Sequence, residues 1–580
     1  MLGLKRIKDA FLMILREHSI STSSVFLSML LYAITSDGFD KYESAEKVIN
    51  LIATFLVVFA VGALVCETYR LYKKTNDGDY DFKNKKYIVA NASVMAVSAV
   101  LGFFSGVSLA YDSKDVSKVI GLNELSVRFI YEYAIRITFC FVVAAICATL
   151  YFFYKKSKCS FEIYTAKAFC GLLKAELVYA VITIGLFLIV AAFNALLFEL
   201  DYSVYERLWI FLLGLVQFPC ILVGLSKTDG EISKFGKVML TIVLPGLLAI
   251  AFLIVYIYII KIIVTLKFPS NQVFGILTAM FAFGVFIWTM AQGICEENTK
   301  KIFRIMPLIF IPFIILQIIS MSIRISGYGL TLARYAGIAV VAFEIGYFVL
   351  YFIGIAKKKE VIYLALPLIA VIVVISYLAP GINAYSSVIA SQKGRIVKYF
   401  NNKDKAGKRT VKEASEAYST LRYFCGATGE IYIKNHYSDE QLRELEKAAR
   451  VIEESENTLE YIVVQRAEDA HYNFSVPYTD FYNVQIRYDR EDDGIDLKTL
   501  ELEIVCNEDE VVDTININDI VSDIMTLYKA GAEDDELNRV LDKNIQLENG
   551  GELVISWLSI DLSDDGKIID NVYVDGYVFK

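Results

Sequence analysis

The chain has 580 residues, 56% of them hydrophobic and 21% charged, with a net charge of −8 and a mean hydropathy of +0.48. A soluble globular chain carries about a quarter charged residues, so an ordinary water-soluble fold is excluded for the whole. The charge is also uneven: residues 1–390 hold 35 Lys/Arg against 25 Asp/Glu (net +10), and residues 391–580 hold 22 against 40 (net −18). The first part is apolar and leans basic, the second is acidic; that sign argues against nucleic acid as a partner.

Residues 1–18, "MLGLKRIKDAFLMILREH", set Leu4, Ile7, Phe11, Leu12 and Leu15 against Lys5, Lys8, Asp9 and Arg16. This two-sided pattern predicts an amphipathic interfacial helix over 1–19. It lacks the order of regions of a cleaved signal peptide and is expected to stay in the mature chain. A bilayer core needs about 20 apolar residues per helix. On that basis eleven spans are expected within 20–380, near 20–36, 48–66, 87–110, 129–153, 175–198, 207–226, 238–262, 272–294, 305–324, 335–356 and 361–379. With the N-terminus cytoplasmic, inner segments collect 24 Lys/Arg and outer loops about ten, the bias that the positive-inside rule requires. Eleven spans then leave the C-terminal part extracytoplasmic, and the lipid bilayer is the first partner.

Arg128, Glu132 and Arg136 are spaced i, i+4, i+8 at the start of the fourth span. They read as an interfacial ion ladder of small energetic weight or as the mouth of a vestibule. Further on, "SMSIRISGYGLTLARY" (residues 320–335) puts two arginines, two glycines and two tyrosines between apolar runs. Gly327 and Gly329 are expected to allow a tight turn. Arg324 and Arg334 are expected to snorkel to headgroups, with Tyr328 and Tyr335 in the aromatic belt. Glu344 lies nine residues into the run 335–356, about 14 Å at a ~1.5 Å rise. That is near the midplane, where an ionisable group is a functional hypothesis by default. Gln317, on the preceding antiparallel span, matches it in depth, so a neutral Glu344 hydrogen-bonded to Gln317 is expected. The pair serves either as helix-to-helix glue or as a proton or cation step.

After Pro380-Gly381 the pattern changes. "INAYSSVIASQKGRIVKYF" and "TVKEASEAYSTLRYF" have helical spacing, and Ser438-Asp439-Glu440-Gln441 is a capping box, which predicts a helical neck over 381–457. From 458 the signals are strand-like: "YIVVQ", "FYNVQIRYD", "LKTLELEIV", "ELVISWLSIDL" and "NVYVDGYVF", with Ser563-Asp564-Asp565-Gly566 as a hairpin turn. A soluble α+β domain over 458–580 follows. "DREDDG" (489–494) starts like a calcium loop, but Leu500 stands where the bidentate Glu belongs, so a solvated turn is the better reading. Nine cysteines and three histidines show no metal spacing, and no nucleotide or nucleophile motif is present. No metal, cofactor or catalytic residue is implied, which argues against an enzyme. A disulfide between Cys425 and Cys506 is left open.

"RISGYGLTLARY" resembles the RI-x-x-YGLT-x-x-RY signature of the bacterial polytopic membrane protein family catalogued as domain of unknown function 4153. The matching positions are Arg324, Tyr328, Gly329, Leu330, Thr331, Arg334 and Tyr335; the preceding span with Pro307 and Pro312, the neck and, loosely, the closing "VYVDGYVF" fit as well. The resemblance implies the architecture and a bacterial cytoplasmic membrane, and carries no activity. The fold expected is mainly α, a transmembrane bundle with a C-terminal soluble α+β domain. Two functions fit: an envelope sensor or scaffold whose outer domain binds a protein, wall component or cation, or a transporter or flippase-like protein using the site around Glu344.

Overall fold

The computed structural model describes residues 2–36, 43–78, 81–196, 200–226, 231–265, 272–401, 403, 407–456, 461–466, 481–489, 501–506, 510–530, 532, 534–547, 551–562 and 569–579. An N-terminal helix, α1 (Leu2–Glu17), is followed by α2 (Ser19–Thr35), α3 (Glu43–Asn76), α4 (Lys85–Ala110), the short α5 (Ser113–Ile120), α6 (Glu124–Ser157) and α7 (Phe161–Leu196). Then come α8 (Ser203–Ser226), α9 (Lys234–Thr265), α10 (Gln272–Ile294), α11 (Glu297–Tyr328), α12 (Leu332–Lys357) and α13 (Ile362–Leu378). Among the described residues nine of these are long and apolar enough to cross a membrane. The first and last expected spans, α2 and α13, are apolar helices of only 17 residues each, about 26 Å at 1.5 Å per residue. Large apolar side chains stay uncovered on the bundle: Leu177 is 66% exposed, Val181 65% and Leu188 65%. Such surface is stable against hydrocarbon and not against water. The chain is a multi-pass membrane protein.

Prolines shape the spans. Pro219 in α8 and Pro245 in α9 each follow a five-residue π-helical turn, Leu213–Gln217 and Met239–Val243. A proline ring has no N–H and crowds the carbonyl four residues back, and a widened turn relieves that clash. In α11 the helix breaks at Phe310, between Pro307 and Pro312.

The neck is built from α14 (Ala384–Asn401), α15 (Lys408–Ser419), α16 (Gly426–His436) and α17 (Asp439–Glu456). A π-helical turn, Thr420–Phe424, joins α15 to α16. The box at the head of α17 is reciprocal: Gln441 N donates to Ser438 Oγ at 3.3 Å and Ser438 N donates to Gln441 Oε1 at 3.0 Å. Ala384, Val388, Gln392, Ile396 and Tyr399 form the buried stripe of α14. α14, α15 and α16 fold onto the bundle and belong to one compact unit with it, Met1–Gln441, whereas α17 from Leu442 onward belongs to the second unit.

The second unit is Leu442–Lys580. Its strands are β1 (Tyr461–Gln465), β2 (Phe481–Asp489), β3 (Glu501–Cys506), β4 (Glu510–Asn516), β5 (Ile545–Gln546), β6 (Glu552–Leu562) and β7 (Ile569–Phe579). An antiparallel sheet runs β1-β6-β7-β2 with β5 on β6, and β3 and β4 make a separate ribbon. A register shift between Ile555 and Trp557 lets Leu553 and Ile555 share a face with Leu558, Ile560 and Leu562, as a bulge must when alternation would flip it. Val572, Val574 and Val578 complete that face, covered by Val521, Ile524 and Met525 of α18 (Asn518–Lys529). Neither α18 nor β4 had been expected. The turn 563–566 and residues 490–494 of the acidic stretch lie outside the described residues.

Candidate functional site

The YGLT turn is where the bundle receives the neck. α11 ends at Tyr328, and Gly329 follows at φ 71°, ψ −179°, a conformation essentially reserved for glycine. Thr331 then caps α12, its side chain accepting from Arg334 N at 3.3 Å. Both backbone groups of the buried Leu330 are taken by consecutive side chains of α14: Leu330 N donates to Ser391 Oγ at 2.9 Å, and Gln392 Nε2 donates to Leu330 O at 2.7 Å. Arg395 donates to the Gly327 carbonyl, and Tyr335 OH donates to Ile382 O at 2.6 Å. Orphan carbonyls at a helix end need such partners.

Two expectations change here. Arg334 is not extended to headgroups; its Nη1 donates to Tyr328 O at 3.2 Å and Gly329 O at 2.7 Å, closing the end of α11. Gly327 sits inside α11 and supplies a carbonyl; the positive φ belongs to Gly329 alone of the two. Tyr328 is exposed, with the Arg334 guanidinium 5.5 Å from its ring centre. Arg324 is half-buried at the same helix end.

Arg136 makes a second anchor. It is 7% exposed, stands 3.2 Å from the ring centre of Tyr385 on α14, and its Nη2 donates to Glu132 Oε2 at 3.1 Å and Thr428 Oγ1 at 2.9 Å. Glu132 Oε1 accepts from Ala427 N at 2.7 Å, at the start of α16, and Arg128 pairs with Glu430 at 2.9 Å. The i, i+4, i+8 row is therefore no surface ladder of small weight. It is the socket into which α14 and α16 dock. Arg128 and Glu132 also line a cavity of about 390 Å³ with Asp112 and Tyr131, so a recess lies beside the socket. The Glu430 carboxyl is held below the usual range, chiefly by its bond to Lys434 and also by the nearby Arg128. Cys425 at this junction is a buried thiol, free among the described residues and pushed up to about 11 by burial; the side chain of Cys506 lies outside what is described.

The structure also brings Gln317 and Glu344 together. Gln317 Nε2 donates to Glu344 Oε1 at 3.3 Å and to Thr278 Oγ1 at 3.3 Å, and neither Gln317 nor Glu344 has any exposed surface. Among the described residues Glu344 Oε2 and Gln317 Oε1 have no hydrogen-bond partner. α11 and α12 also contribute Phe313, Val341 and Phe348 to the buried cluster that includes Phe281 and Trp288, whose Nε1 donates to Tyr347 OH at 2.7 Å. An apolar setting with two acceptor oxygens lacking donors can take up a proton or a small cation.

One site went unread in the sequence. Glu67 of α3 caps α2 across the bundle: Ile20 N donates to Oε1 at 2.7 Å, and Ser21 N and Oγ donate to Oε2 at 3.4 and 2.6 Å. His18, fully buried at the α1–α2 joint, has Nδ1 3.8 Å from Glu67 Oε2. Glu67 is a carboxylate at the end of the apolar run 51–66, which was the available cue. Among the described side chains of α1, Ala10 and Ile14 are buried, while Leu12 and Leu15 remain exposed. No protein-family model, curated protein or solved structure matches the chain.

Proposed function

We propose that this protein is a membrane-anchored scaffold or sensor. In this reading the bundle sits in a bacterial cytoplasmic membrane with the N-terminus inside, and the C-terminal α+β domain binds an envelope protein or wall ligand outside. The observation that carries the reading is where the bundle spends its polar chemistry. The motif turn and the Arg136–Glu132 socket both hold the neck, from which the chain continues into that domain. The lysine and arginine bias supports the orientation. Counting both α2 and α13 as spans with the nine longer helices gives eleven, an odd number, which supports opposite faces for the two ends of the chain. The family resemblance stays a proposal beside it and supplies no activity.

The test compares full-length protein with a chain lacking 442–580, by cross-linking in native membranes, with cysteine labelling to fix the side of each terminus. A partner held by the full chain and lost on deletion is expected. Identical capture by both chains, or a C-terminus labelled from the cytoplasm, overturns the reading. A transporter is the second reading, supported by the unpartnered oxygens of Glu344 and Gln317. It requires proton or cation flux in proteoliposomes that Glu344→Gln abolishes while the protein stays folded.

A further inference from the structure

A cavity of about 310 Å³ opens between α1, α7 and α8. Its wall is largely apolar, including Ala10, Phe11, Val178, Cys220 and Val223. Beside it α7 and α8 meet backbone to backbone at two glycines of its lining: a methyl on Gly171 would collide with the carbonyl oxygen of Gly224, and one on Gly224 would meet Leu172 N at 2.8 Å. Lys167 and Lys174 flank Gly171 on α7 and line the same cavity. Seven residues apart, they share one face of the helix about 10 Å from each other along its axis, at 1.5 Å per residue. Among the described residues neither lysine pairs with a carboxylate. Glu231, exposed, is the acidic group at the cavity.

We propose that this cavity binds an anionic phospholipid drawn from the surrounding leaflet. The phosphate lies between Lys167 and Lys174, and the start of one acyl chain lies on the apolar wall beneath α1. Two unpaired cations supply the charge complement, and the apolar wall requires a ligand with a chain, which a free phosphate lacks. Basic pockets between membrane helices select acidic headgroups for this reason. Because Ala10 and Phe11 form part of the wall, an occupied cavity also holds α1 down.

The experiment is native mass spectrometry of the full chain, stripped of lipid in detergent and titrated with phosphatidylglycerol or phosphatidylcholine. Hydrogen exchange of α1 is followed in parallel. Phosphatidylglycerol is expected to bind more tightly, and Lys167→Gln and Lys174→Gln to weaken it about fivefold each, the weight of one basic residue at an acidic surface. Lys301→Gln, outside the cavity, should change nothing, and Glu231→Gln should tighten binding. Phosphatidylglycerol should slow exchange in α1 of the wild type and not of the double variant. If the double glutamine variant fails to fold, Lys167→Arg/Lys174→Arg stands in and must keep the preference. Equal binding of the two lipids overturns the proposal, as does an undiminished preference in the glutamine variants or displacement of phosphatidylglycerol by millimolar inorganic phosphate.

Discussion

Replacing Arg136 with alanine should undock the neck. The side chain is 7% exposed, so its contacts are made largely out of water. The bond to Thr428 Oγ1 at 2.9 Å has a charged donor, worth about 1.5–3 kcal/mol. The stack on Tyr385, 3.2 Å from the ring centre, is worth about 2 kcal/mol when desolvated. Glu132, 30% exposed at its side chain, adds only a screened i, i+4 pair, about 0.3–0.5 kcal/mol. The terms share one guanidinium and do not simply add. We expect a net loss of about 3 kcal/mol, about a hundredfold in the ratio of docked to undocked neck. Hydrogen exchange in nanodiscs reads this directly: amides of 384–436 should lose protection by that factor, while α3 and α4 keep theirs. Arg136→Lys keeps the charge without the planar fork and should fall between. Protection of the neck within about twofold of wild type in Arg136→Ala would refute the socket, since the Thr428 bond alone, at about 1.5–3 kcal/mol, exceeds that change.

The two glycines of the motif separate cleanly. Gly329→Ala must hold an alanine at φ 71° with its Cβ 3.0 Å from the Gln392 amide, and should lose about 1–3 kcal/mol, seen as a lower Tm in detergent and a less protected α14. Gly327→Ala has nothing within 4 Å and should leave both readouts unmoved. Glu67→Ala strips three hydrogen bonds from the first turn of α2, costing about 1–3 kcal/mol; exchange in 19–24 should accelerate while α6 is unchanged. The depressed folded pKa of Glu430 stabilises the docked neck at pH above the ordinary Glu value, ~4.3, and that contribution is lost as pH falls through the lower folded value. Glu430→Gln should flatten the acid limb of a neck-protection curve; an identical limb would remove Glu430 from the account.

The apolar periods of the sequence were enough for the helices. All eleven expected runs became helices, because a 3.6-residue backbone is the only way an isolated apolar segment satisfies its own amides in a bilayer. The capping box and five of the strands were likewise legible, since their signals lie within a few residues of one another. The contact between Gln317 and Glu344 was legible from depth alone, as antiparallel neighbours bring equal depths together. What the chain could not disclose was partnership across distance. Nothing local to Arg136 points to Thr428, 292 residues on, and nothing near Glu67 points to the amides of α2, 46 and 47 residues back. Arg324 and Arg334 read as headgroup anchors because snorkelling is what a lone terminal arginine does. Only the folded turn, with carbonyls of Tyr328 and Gly329 turned toward it, offered Arg334 something better. The residue types were fixed by burial and helix geometry; their roles were fixed by which helix came to lie against which.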